Sequence, residues 1–269
     1  MPLGQKLPPI ALFSGLLTGR ETYRAIYEST LARDKTSALP PSERYFSPHR
    51  HGLGTIEKMI KVSGDQLEDA VEKMDGEKVL LVAHSLGAIN ATEVAIERPE
   101  LVAGVVLLGG AHAGYKKQTP FTFALRNVLG RHPQAGHLKY DSGFMKDRAQ
   151  RMAEGWPKGV LLDVHATMLD ELLPPPHGLD IEIANEIPGK YVHVPRIPGL
   201  MKATVKLFGP HTDVELMPTN HLTLHANLPS NPNVNRRIRA LRYSIAGMVD
   251  VHAPVVKHAP AMESMPLAA

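Results

Sequence analysis

Short apolar runs alternate with amphipathic stretches along this chain, and the alternation predicts an order of strands and helices. Pro9 to Phe13 (PIALF) is an apolar run followed by Ser14-Gly15-Leu16-Leu17-Thr18-Gly19 and a helix-like segment from Glu21 to Leu31. Residues Asp34 to Gly54 carry Pro40, Pro41, Pro48, Gly52 and Gly54 and read mostly as loop, with one short strand near Tyr45-Phe46. Asp65 to Met74 places Leu67, Ala70, Val71 and Met74 on one face, the spacing of a helix packed on a sheet. Lys78 to Ala83 is an apolar run suited to a buried strand, and Leu86 to Arg98 then reads as a helix stopped by Pro99. Val102 to Leu108 (VAGVVLL) suits a strand covered on both faces.

Strand, helix and strand in this order predict an α/β fold: a mostly parallel central sheet with right-handed crossovers and helices on both faces. From Tyr115 to about Pro188 the chain is long, amphipathic and punctuated by Pro120, Pro133, Pro157 and Pro174-Pro175-Pro176, and it reads as a helical cap insertion over the sheet. Sheet character returns at Lys190 to Pro195 and at Val214 to Met217. A last helix begins near Asn231-Pro232, with Val234, Ile238, Leu241 and Ile245 on one face, Arg236, Arg237, Arg239 and Arg242 on a solvated face, and Gly247 to end it. The predicted organisation is therefore a core of residues 1–114 and 189–250, a cap of residues 115–188 and a loose tail of residues 251–269. No internal repeat is visible.

Composition narrows the partners more than the fold. The 269 residues are 43% hydrophobic and 21% charged, as in an ordinary globular protein. The net charge of +3 comes from scattered residues with no long basic block and few aromatic residues, so nothing points to nucleic acid. With no cysteine there is no disulfide framework, zinc-thiolate site or cysteine nucleophile. The stretch from Leu7 to Leu17 is short, is broken by Pro8 and Pro9, and is not read as a signal peptide. No stretch reaches the roughly 20 apolar residues of a membrane span, and a cytoplasmic protein is expected.

The polar triplet that ends the run Leu81-Val82-Ala83-His84-Ser85-Leu86-Gly87-Ala88 places a serine at a strand-to-helix junction. A hydroxyl becomes a nucleophile when a base takes its proton and donors hold the oxyanion that forms. A turn after a parallel strand lifts the side chain above the sheet, demands small neighbours such as Ala83 and Gly87, and aims helix amide hydrogens at the reacting oxygen. These residues resemble the nucleophile elbow of the α/β-hydrolase superfamily, in particular the small bacterial lipases and esterases, some of which have Ala-His-Ser-x-Gly there. Phe13-Ser14-Gly15-Leu16 stands where that family has its His-Gly-x oxyanion segment, and Gly110-Ala111-His112-Ala113-Gly114 looks like its Thr-Pro-His-x-Gly segment.

The resemblance implies Ser85 as nucleophile, the backbone amides of Leu16 and Leu86 as the oxyanion hole, and a base on the loop after the last strand. Pro218-Thr219-Asn220-His221 fits that loop, which makes His221 the expected base, ahead of His225 and His252. Family members usually carry an Asp after the penultimate strand, and Pro198 stands about there; Asp163, Asp170 and Asp213 are the acids left to consider. His221 and His225 have the i, i+4 spacing of two metal ligands, but the zincin glutamate is missing, so neither a metal nor a cofactor is expected. His112 is read as a structural histidine. The expected activity is hydrolysis of a carboxylic ester with an apolar acyl group, suggested by apolar cap residues such as Phe121, Met145, Met152, Trp156 and Leu162. Two alternatives stay open: transfer of the same acyl group to an alcohol or amine, and a non-catalytic binding protein on this fold. Nothing in the residues indicates an oligomeric state.

Overall fold

The computed structural model describes residues 7–15, 54–109, 136–139, 142–165, 191–193 and 232–247. Five strands form one sheet in chain order: β1 (Ile10–Phe13), β2 (Val79–His84), β3 (Val102–Leu108), β4 (Leu161–His165) and β5 (Tyr191–His193). All four pairings are parallel. Parallel neighbours require crossovers, and the described helices are α1 (Ile56–Lys73), α2 (Leu86–Glu97), α3 (Gly143–Glu154) and α4 (Pro232–Ile245).

The period of two along each strand divides the core into two layers. Ala11, Phe13, Leu81, Ala83, Val105, Leu107 and Leu162 face one side, where they meet Ile60, Leu67 and Val71 of α1, Ile89 and Val94 of α2, and Met145 and Met152 of α3. Ile10, Leu12, Leu80, Val82, Val106 and Leu108 face the other side, against Ile238 and Leu241 of α4. β2 and β3 are buried along their whole length, as expected of strands covered by helices on both faces. Each Leu or Ile side chain so buried contributes about 1.5–3 kcal/mol relative to exposure. Among the described residues, no helix is long and apolar enough to cross a membrane.

The strands of residues 78–83 and 102–108, the helix after Ser85, the short strand within residues 190–195 and the last helix all form where the pattern predicts them. Three features differ. The predicted helix of residues 65–74 begins already at Ile56, because Thr55 caps it by accepting from the Lys58 N–H (3.3 Å) and Ile56, Met59 and Ile60 continue its buried face. Gly64 breaks the propensity pattern, and the structure explains it: a Cβ there would stand 2.9 Å from Nε of Arg98. The Arg98 guanidinium fills that space and pairs with Asp65 and Glu68, at 2.5 Å each, tying the end of α2 to α1.

The second difference concerns the cap. Residues 161–165, inside the stretch assigned to a helical insertion, form β4 of the main sheet and pair in register with both β3 and β5. Leu161-Leu162-Asp163-Val164-His165 lacks clean alternation, and Asp163 and His165 obscured a short strand. The other predicted boundaries, and the tail, lie outside the described residues. The third difference is Arg242, assigned to a solvated face but 1% exposed; its Nε donates to the Pro8 carbonyl at 2.9 Å, linking α4 to the chain entering β1.

Candidate active site

β2 delivers Ser85 to the end of the sheet at which the parallel strands terminate. His84 is the last strand residue and Leu86 the first of α2, so a single residue makes the turn. That residue pays in backbone strain: Ser85 has φ 53° and ψ −120°, and Asp75 is the only other non-glycine residue with positive φ among those described. Such a conformation costs an L-residue about 1–3 kcal/mol and persists only where its surroundings enforce it. Here they do: the Ser85 N–H donates to the Leu108 carbonyl (3.1 Å) of β3, and the Ser85 carbonyl accepts from Ala88 (3.1 Å) within α2. Ser85 occupies the N-cap position, yet its half-buried side chain makes no capping hydrogen bond.

The start of α2 suits an anion. The Leu86 N–H occupies the first helical position, where the helix supplies no acceptor of its own, and the first turn contains no acidic residue. Gly87 then brings a second backbone segment alongside. A Cβ on Gly87 would lie 2.3 Å from the carbonyl oxygen of Phe13 and 2.7 Å from that of Ser14, so the end of β1 rests directly on the first turn of α2. The chain leaving β1 through buried Ser14 toward Leu16 therefore starts beside Ser85 and Leu86. The structure thus brings together Ser85, Leu86 and the end of β1. Leu16 itself, His112, His221, His225, His252, Asp170 and Asp213 lie outside the described residues.

Asp163 is placed, and its place argues against an orienting role next to Ser85. It is fully buried in β4, in register with Val106 and, through it, with Val82. Ser85 comes three residues after Val82, on a strand two positions away, on the order of 14 Å between backbones. Alternation puts Asp163 on the α4 side of the sheet, as Leu161 is. We assign it to the core.

A second group of buried charges was not anticipated from the sequence. Glu93 of α2 is fully buried, with Arg148 Nε of α3 at 3.1 Å and the Arg151 guanidinium in closer contact still. Burial pulls the Arg148 guanidinium down from its ordinary value, against the attraction of Glu93. Burial, reinforced by the neighbouring Glu93, pushes the Glu97 carboxyl up. The available signal was one Glu at the centre of the apolar segment Ala91 to Ile96. Among the described residues no group of three or more His, Asp or Glu could hold a metal ion.

A parallel sheet with helices on both faces and a strained serine at a strand-to-helix turn defines the class. The chain belongs to the alpha/beta hydrolase family, whose model matches residues 19–264. Among solved structures it is similar to an alpha/beta hydrolase enzyme from the metagenome of sediments of the lagoon of Mar Chica, Morocco. That likeness has 14% identity and a TM-score of 0.51, over 89% of this chain and 91% of the other. It is also similar to lipase B of Aspergillus fumigatus (12% identity, TM-score 0.50), covering 68% of this chain but only 42% of that enzyme. At such identities the likeness speaks for the fold. No curated protein matches the sequence.

Proposed function

We propose that the protein is a serine hydrolase that cleaves a carboxylic ester through an acyl-enzyme on Ser85. The observation that carries this reading is the φ of 53° at Ser85, imposed at the junction of β2 and α2 on a side chain that does not cap its helix. In this reading the Ser85 hydroxyl attacks the ester carbonyl while His221 takes its proton. The Leu86 amide, with that of Leu16, stabilises the oxyanion, aided by the positive end of α2. His221 then protonates the leaving alcohol, and water, activated by the same histidine, releases the acid. The juxtaposition of the β1 end with Gly87 supports the pairing of the two amides.

Asp170 is the acid we favour. It follows β4 in the chain, and strand ends at that edge of the sheet lie on the same side as Ser85; Asp163 points into the core instead. The order Ser85, Asp170, His221 is that of nucleophile, acid and base in α/β-hydrolases. An apolar acyl group of medium or long chain is the proposed substrate feature, and equal or faster turnover of acetyl esters would sink that part.

The test is labelling of the full chain with a fluorophosphonate, comparing wild type with Ser85→Ala and His221→Ala. Stoichiometric labelling of wild type alone supports the reading; a folded wild type that does not label overturns it. Product analysis with a competing alcohol then separates hydrolysis from acyl transfer, since both share the first half-reaction.

A further inference from the structure

α2 carries a single amide side chain, that of Asn90. It is fully buried, and its Nδ2 donates to the Ser63 hydroxyl of α1 at 2.7 Å. Ser63, buried as well, donates its own proton to the Met59 carbonyl one turn back along α1 (2.8 Å), which leaves an oxygen lone pair to accept from the amide. The residues of the two helices that share this core layer are apolar, among them Ile60 and Leu67 of α1 and Leu86, Ile89 and Ala91 of α2. The Asn90–Ser63 bond is thus a polar tie within an apolar seam.

Burying an amide costs desolvation that its hydrogen bond only offsets, and an apolar side chain at position 90 would pack without that cost. What a polar pair adds to an apolar seam is register, since only one placement of α2 along α1 lets donor meet acceptor. That register has a chemical consequence. Leu86 and Asn90 are four residues apart, hence on one face of α2 and about 6 Å from each other along its axis. The other contacts near the start of α2 act differently. The Ser85 N–H on the Leu108 carbonyl fixes the turn before the helix, and the Phe13 and Ser14 carbonyls beside Gly87 limit how near α2 can come to β1, resisting approach only. The pairs of Arg98 with Asp65 and Glu68 join the helices at the far end of α2 and are open to solvent, where such pairs contribute little.

We propose that Asn90 is a positioning residue: its bond to Ser63 sets the register of α2 on α1, and with it the place of the Leu86 amide. The inference rests on the reading of Ser85 as nucleophile and Leu86 as oxyanion donor. A donor must stand within about 0.5 Å of its productive place, and a misplacement of about 1 Å is enough to cost orders of magnitude in rate. Asn90 touches neither substrate nor Ser85 in this role; it acts through the helix.

A double-mutant cycle on the full chain tests it, read as the fluorophosphonate labelling rate per folded molecule, with the folded fraction taken from urea unfolding. Asn90→Ala and Ser63→Ala are each expected to slow labelling about tenfold, and the double variant no further than the slower single, because both remove one bond. With a chromogenic ester, kcat is expected to fall by the same factor at unchanged KM, which a loss of stability alone would not produce. Ser63→Ala installs a better helix former, so it decides the matter should Asn90→Ala not fold. Unchanged labelling per folded molecule in the single variants, or losses that multiply in the double, would overturn the proposal. A folded wild type that does not label removes the hydrolase reading, and register is then read by native-state hydrogen exchange. Faster exchange of residues 88–91 than in wild type, with residues 94–97 unchanged, in Ser63→Ala keeps Asn90 as the residue that sets α2; unchanged exchange at both places removes it.

Discussion

Two regions lie against α2 and are built on opposite principles. At its start, the corner formed by β1, β2 and Ser85 is held by backbone: a positive φ, an amide on the Leu108 carbonyl, and a glycine on which the Phe13 carbonyl rests. Further along, α3 is held by side chains, with one buried carboxylate facing two arginines. Backbone contacts leave no room for adjustment and suit a place where groups must be fixed before a reaction begins. A buried carboxylate between two arginines joins elements through charge, and removing one partner is costly.

The largest effect expected at the corner is chemical. Ser85→Ala removes the proposed nucleophile without crowding the turn, and ester turnover is expected to fall by about a thousandfold or more. The melting temperature should change little, so that calorimetry alongside a chromogenic ester assay separates loss of chemistry from loss of fold. Retained turnover in Ser85→Ala would remove the corner from the mechanism.

Gly87→Ala probes the same corner through packing. Its added Cβ would have to sit 2.3 Å from a backbone oxygen, so α2 or the end of β1 must shift. The expected cost is about 1–3 kcal/mol of global stability, visible in urea unfolding, together with slower fluorophosphonate labelling. Glu93→Gln gives the contrast. It leaves the buried Arg148 guanidinium facing a neutral amide, at an expected cost of about 3–5 kcal/mol in urea unfolding, with fluorophosphonate labelling of the folded protein unchanged. Slower labelling of folded Glu93→Gln would erase the distinction between the two regions.

The same contrast explains what could be read from the sequence. The corner was legible because its determinants are local: an apolar run, a serine and small neighbours within the segment from Val79 to Ala88. β3 was legible for the same reason, as VAGVVLL is apolar throughout. β4 was not, since Asp163 interrupts its pattern and only pairing with β3 and β5 reveals the strand. Glu93 and Arg242 were also beyond local reasoning. A charged residue on a helix reads as solvated until a partner more than fifty residues away, Arg148 or Arg151, or the Pro8 carbonyl, is brought to it by the fold. The domain division suffered in consequence, because a missed strand turned part of the sheet into cap.

The smallest expected effect comes from the exposed ties between α1 and α2, which belong to neither extreme. Hydrogen bonds from Lys61 and then Arg98 hold the Asp65 carboxyl below its ordinary value of 3.8. A carboxylate depressed in the folded state stabilises it above the unfolded value, and that contribution is lost as pH falls through the lower folded value. Asp65→Asn should therefore melt slightly below wild type at neutral pH, with the two curves converging as the solution is acidified below the ordinary carboxylate range. Because Asp65 is open to solvent, the difference should also shrink in high salt. A gap that persists in acid and in salt would mean that Asp65 acts through packing with Arg98 over Gly64, which would make the α1–α2 contact a backbone-fitted joint like the Ser85 corner.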